Sequence, residues 1–246
     1  MKMRWHIEDS DIERVKKVIE DQAEAQLVKD RQQNLVSQKS EVGKEAFWCR
    51  MVKARLTTQN RVGPGTPVEI FVRKRPFPLS YERVRSKRNV ERFIAETVKQ
   101  ARIGKFNNTA RDLAFNWSYL KSGEWEQALH ECNRLTKLPA ETDEKERKKT
   151  ERAVANYIED TFKGFGPKQS RNLLQMLGLT RYEIPIDSRL SKWLKPCLSP
   201  VALTSPLLGD RAFYEFVQDG IQELCKQAGT VPCLFDASVF TAMEQR

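Results

Sequence analysis

Residues 162–194 read FKGFGPKQSRNLLQMLGLTRYEIPIDSRLSKWL, and the organisation of the chain follows from them. Lys163-Gly164-Phe165-Gly166 is a tight turn, because two glycines one residue apart admit backbone angles that side chains resist. Pro167 suits the first position of a helix, where its missing N–H would have no partner anyway. The spacing predicts a helix from Pro167 to about Leu177. Its buried face carries Ser170, Leu173, Leu174 and Leu177, and its opposite face Lys168, Arg171 and Gln175. Gly178 is its stop. Upstream, Ala153, Val154, Tyr157, Ile158 and Phe162 recur at helical spacing. Residues 153–178 are therefore helix, glycine turn, helix. The first N–H groups of the second helix point out of the turn, a setting that attracts phosphate.

This is a helix-hairpin-helix arrangement, a DNA-backbone clamp indifferent to base sequence, and alone it says nothing about catalysis. Two residues sharpen it. Lys168 lies in the first turn of the second helix, where the positive end of the helix dipole disfavours an ammonium. A lysine made partly neutral in this way can act as a nucleophile. Asp187 follows nineteen residues later, after Ile184-Pro185-Ile186. Pro185 keeps Ile184 out of helical geometry, and Asp187 is the expected N-cap of a helix from Ser188 to about Leu194.

Gly164, Gly166, Lys168, Pro185 and Asp187 together resemble the helix-hairpin-helix DNA glycosylases that carry an associated abasic-site lyase activity. The nineteen-residue spacing and the proline are most similar to the 8-oxoguanine glycosylase branch. The resemblance covers residues 150–195, about a fifth of the chain. It implies two helical lobes, with Lys168 and Asp187 facing a cleft between them. Lobe A would hold about 1–60 plus 196–246, and lobe B about 82–195. It implies excision of an oxidised base, foremost 8-oxoguanine, from double-stranded damaged DNA through a lysine Schiff base. Beta-elimination would then cut the strand. That route calls for no cofactor and no metal. Lys163, Gly164, Gly166 and Arg171 would contact the DNA backbone.

Further candidates come from the same resemblance. Gln59, in the polar run Leu56-Thr57-Thr58-Gln59-Asn60, would fill the gap left by a flipped base; the alternative is a polar helix end that touches nothing. Asn107, Asn108 and Arg111, in FNNTAR, match a segment that invades the duplex opposite the damage. Asparagine amides can replace lost base-pair hydrogen bonds, and arginine can read the orphan base. The alternative is that Asn108 caps a helix from Thr109 to Tyr119. Phe235 would stack on the flipped base, or is simply core. Taken singly, Lys168 could be a phosphate contact and Asp187 a cap. A DNA-binding module without catalysis, and a glycosylase for oxidised pyrimidines, remain the rival functions.

The composition is compatible. Of 246 residues, 43 are basic and 33 acidic, a net charge of +10 that suits a polyanionic partner. No run is long and apolar enough for a membrane span, and the opening MKMRWHIEDSDIERV lacks the apolar core of a secretory signal. The expectation is a monomer that is cytoplasmic (nucleoid-associated) or nuclear, and not secreted. Five scattered cysteines read as reduced thiols. Some relatives hold an iron–sulfur cluster on four closely spaced cysteines. Cys197, Cys225 and Cys233 have the wrong spacing for one, and His6 and His130 are too few for a zinc site.

Elsewhere the pattern is helical: 9–36, 44–59, 81–103, two short helices broken at Ser122-Gly123, 210–228 and 234–243. Val68 to Val72 reads as a short strand within a basic, aromatic, proline-rich loop. The expected class is all-α, with that one segment of β.

Overall fold

The computed structural model describes residues 5–37, 39–58, 60, 63, 65–139, 141–198 and 202–244, and among these no strand occurs. The α-helices are α1 (Asp9–Asp21), α2 (Gln26–Val36), α3 (Lys44–Leu56), α4 (Pro67–Arg73), α5 (Tyr81–Arg85), α6 (Val90–Gln100), α7 (Phe106–Tyr119), α8 (Trp125–Thr136), α9 (Glu144–Thr161), α10 (Pro167–Met176), α11 (Ser188–Leu194), α12 (Arg211–Gln227) and α13 (Pro232–Glu244). The all-α expectation holds, and none of the described helices is long and apolar enough to cross a membrane.

The strand expected at 68–72 is instead α4. Thr66 caps it by accepting from the Glu69 N–H at 3.3 Å, and Pro67 occupies its first position. Val68 and Phe71, three apart, are buried while Ile70 is 53% exposed, so the helical period wins over the alternation of β-branched residues. The single helix expected over 9–36 is two helices broken at Gln22–Ala25. A continuous helix would turn Val28 roughly 220° away from Val15 at about 100° per residue. The break lets both be fully buried, with α1 and α2 each packed on α13. Residues 81–103 likewise divide into α5 and α6, because Asn89 accepts from the Arg92 N–H at 2.9 Å and opens a new helix.

Two hydrophobic cores form. One gathers side chains between Val42 and Leu179, centred on Trp48, Trp117 and Trp125, with ring centroids 4.8 and 6.1 Å apart. The other joins the chain ends to the segment around Asp187: Val15 and Val18 meet Ile184, Ile186, Leu190, Tyr214, Ile221 and Phe235. The lobe boundaries expected from sequence therefore shift. Helix α3 belongs with the middle of the chain, and residues 184–194 belong with the ends. Trp5 stacks on Phe216 at 5.5 Å and donates its Nε1–H to the Phe216 carbonyl at 2.9 Å. It fits because residue 220 is glycine: a Cβ there would lie 1.8 Å from the indole.

Candidate active site

The hairpin between α9 and α10 is clamped from both sides. Asn116 of α7, fully buried, accepts from the Lys163 N–H at 2.8 Å and donates to the Lys163 carbonyl at 3.0 Å. Beneath the turn Arg55 of α3 pairs with Asp112 of α7 at 2.6 Å. Gly164 lies directly on that pair, with φ 81°, and a Cβ would approach Arg55 Nε to 2.3 Å and Asp112 Oδ2 to 2.9 Å. Gly166 is different: its φ of −92° suits any residue and its Cβ position is open. Of the two, Gly164 is therefore the glycine required by conformation and close approach. Gly164→Ala should cost about 2–3 kcal/mol from strain and the displaced ion pair, read as a lowered urea midpoint. Gly166→Ala should leave that midpoint unchanged. Equal losses in the two variants would contradict this account.

Lys168 occupies the first turn of α10. Burial pushes its pKa below the ordinary lysine value, against the pull of Asp187 first and Asp236 next; Arg189 adds to the lowering. Among the described residues no hydrogen bond or salt bridge engages its Nζ. The amine is thus desolvated, near two carboxylates, and not tied to either.

Asp187 caps α11 as expected. Its Oδ1 accepts from the Arg189 and Leu190 N–H groups, both at 2.9 Å, and its Oδ2 accepts from Arg189 Nη1 at 3.1 Å. Arg189 also lies over the Phe240 ring at 4.2 Å. Asp236 of α13 is the carboxylate that sequence reasoning missed. It is held by Gln175 Nε2 at 2.7 Å, and burial raises its pKa to about 6.

The connector from α10 to Asp187 is fixed by polar groups from both lobes. Buried Glu151 of α9 accepts from the N–H groups of Arg181, Tyr182 and Glu183 at 2.8–3.0 Å. Tyr214 of α12 accepts from the Ile186 N–H at 2.7 Å and donates to the Ile184 carbonyl, to which Gln218 also donates. The backbone on either side of Pro185 is thereby satisfied in a dry setting. The same junction holds Arg171, which corrects the expectation of a surface DNA contact. Arg171 is fully buried, with Nε 2.8 Å from Glu183 Oε2, Nη2 3.2 Å from Asn156 Oδ1, and Glu159 at 3.5 Å. No phosphate reaches it. Gln175, expected beside it on the solvated face, is also buried.

The remaining candidates divide. Phe235 is fully buried, edge-on to Trp193 at 4.9 Å, and offers no face for a base: it is core. Asn107, Asn108 and Arg111 are exposed, but α7 begins at Phe106, so Asn108 is inside the first turn and does not cap the helix. Asn107, Arg111 and Phe115 fall four residues apart on one face of α7. Phe115 is 43% exposed and meets Lys163 Nζ at 4.2 Å. The hairpin and the asparagine run thus share one surface, joined by a phenylalanine that the sequence reading left out. Gln59 lies outside the described residues. Among the described residues no three His, Cys, Asp or Glu side chains converge as metal ligands. No family model matches the chain, and neither a curated protein nor a solved structure matches it.

Proposed function

We propose that the chain is a DNA glycosylase with abasic-site lyase activity, acting on an oxidised base in duplex DNA, foremost 8-oxoguanine. The observation that carries this reading is the unengaged, desolvated Lys168 amine at the start of a clamped hairpin helix, under the influence of Asp187. Damaged DNA docks by its phosphates at Lys163 and the open Gly166, where α10 presents free N–H groups. Asn107, Asn108, Arg111 and Phe115 face the duplex on the same side. The target base leaves the stack, which costs less for a damaged or mispaired base.

Neutral Lys168 then attacks C1′ of the deoxyribose. The bond from C1′ to the base breaks, the base leaves with its electron pair and takes up a proton, and the lysine nitrogen gives one up. Asp187 stabilises the positive charge that develops on the sugar during this exchange. The ring opens to a Schiff base between Nζ and C1′. Loss of a C2′ proton expels the 3′-phosphate and cuts the strand, and hydrolysis returns the amine. The reaction runs on a single chain, which supplies both side chains.

A panel of single-lesion duplexes incubated with the protein and borohydride tests the reading. A covalent protein–DNA adduct is expected on 8-oxoguanine in preference to oxidised pyrimidines and undamaged duplex. Adduct mainly on oxidised pyrimidines would reassign the substrate. Equal binding of every duplex with no adduct would leave a non-catalytic DNA clamp.

A further inference from the structure

A pocket of ≈380 Å³ lies at the far end of α10 from Lys168, where the C-terminal ends of α2, α8 and α10 meet. Its apolar part is built from Leu135, Leu138 and Leu179. Four cations line the rest: Arg31, Lys39, Arg147 and Arg181. Each donates to a main-chain carbonyl: Arg31 Nη1 to Gln175 at 2.8 Å, Arg147 Nη2 to Pro139 and Arg181 Nη2 to Leu35 at 2.9 Å, and Lys39 Nζ to Asn34. Among the described residues none of the four forms a salt bridge, whereas the half-buried Arg55 and the fully buried Arg171 are each paired with a carboxylate. The nearby acids are committed elsewhere, Glu151 to three backbone N–H groups and Asp236 to Gln175.

Part of this charge answers the three helix ends, each worth about half a negative charge, and part answers Glu151 and Asp236, whose charges reach Arg147 and Arg31. A small positive surplus remains, with no carboxylate among the described residues in contact with any of the four cations. The groups strain against one another: burial and then Arg181 push the pKa values of both Lys39 and Arg147 down. Three polar atoms are also left over. Arg31 Nε, Arg147 Nε and Thr180 Oγ1 are buried with no hydrogen-bond partner among the described residues, and Arg147 and Thr180 are only 6% and 7% exposed. Orphaned donors of this kind are rare in native interiors and call for a partner.

We infer that this pocket binds a phosphate monoester, carried either by a nucleotide-sized small molecule or by the end of a nucleic acid strand. A monoester presents three terminal oxygens to these unpaired donors and enters the pocket end-on, whereas a mid-strand diester presents two and carries chain on both sides. Guanidinium forks suit phosphate oxygens, and the hydroxyl of Thr180 supplies a further donor. The volume falls within the range of small-molecule pockets, and the leucine wall offers an apolar surface for a base or similar group.

Thermal unfolding and titration calorimetry at low salt decide the matter. The probes are inorganic phosphate, a nucleoside 5′-monophosphate, the parent nucleoside, and a short single-stranded oligonucleotide with and without a 5′-phosphate. The phosphate-bearing probes should raise Tm, by on the order of 5–10 °C at about one hundred times Kd; the nucleoside should not, and the 5′-phosphate should add to whatever rise the 5′-hydroxyl strand gives through its phosphodiesters. Tighter binding of the mononucleotide identifies a small-molecule ligand; tighter binding of the phosphorylated strand identifies a nucleic acid end. Arg31→Gln and Arg181→Gln should abolish the rise; each relieves repulsion but also loses a hydrogen bond to a main-chain carbonyl, so the unliganded Tm should move by only a few degrees. Lys168→Gln should bind as the wild type does, which separates this site from the proposed catalysis. No rise with any phosphate-bearing probe at millimolar concentration, or a rise undiminished in Arg31→Gln, overturns the proposal.

Discussion

Lys168→Gln should fold, bind damaged duplex about as well as the parent chain, and lose strand cleavage and borohydride trapping by on the order of 10³-fold or more. The reason is local. Lys168 Nζ makes no hydrogen bond or salt bridge among the described residues, so its replacement leaves no partner stranded and removes only the nucleophile. Asp187→Asn should behave differently: it keeps the cap oxygen and the α11 start, yet turnover slows because the developing sugar cation loses its carboxylate. The pH profile supplies a further arm. The trapping rate should rise with pH as the ammonium gives up its proton, and level off above the lowered pKa. Asp236→Asn removes a negative charge that helps Lys168 keep that proton, so the inflection should move to lower pH. Normal trapping by Lys168→Gln would end the enzyme reading, while an unshifted inflection in Asp236→Asn would detach only that carboxylate from the site.

The second large effect is on stability. Arg171→Ala should destabilise the chain by about 3–5 kcal/mol, because the buried guanidinium joining Glu183, Glu159 and Asn156 is lost and Glu183, fully buried, keeps only Arg152 as a cationic partner. At roughly 2–4 °C per kcal/mol for a chain of this size, Tm should fall by about 6–20 °C. Activity should drop with it, since the same junction carries the backbone that delivers Asp187. Calorimetric unfolding of the purified variant checks this. An unchanged Tm with weakened DNA binding would return Arg171 to the role that its helical position first suggested.

That reversal shows where sequence stops being informative. The hairpin, the capping role of Asp187 and the position of Lys168 were legible because they depend on spacings within about twenty residues. Arg171 was misplaced because a helical wheel counts every charge as solvent-facing. Its compensation comes from Glu159 and Glu183, twelve residues before and after, and no periodicity links the three. The α1–α2 break contains no glycine or proline and exists to serve α13. The strand reading of 68–72 passed over the Thr66-Pro67-x-Glu69 helix-start signal, which was present in the sequence. Asp236 could have been noticed as the lone acid within the apolar run LFDASVF. Asn116 could not, since only the folded chain brings it to Lys163.

The terminal lobe is assembled from both ends of the chain, with α1 and α2 packed on α13. On a translating ribosome, 195 residues separate the end of α2 from the start of α13, a wait of roughly 10–40 s at ordinary elongation rates. Within that interval the middle lobe is completed and can fold around its tryptophans and display its hairpin, while α13, with Asp236 and the surface that supports α11, does not yet exist. Under the proposed function, a nascent chain would grip DNA before it could cut it, and competence would arrive only with α13.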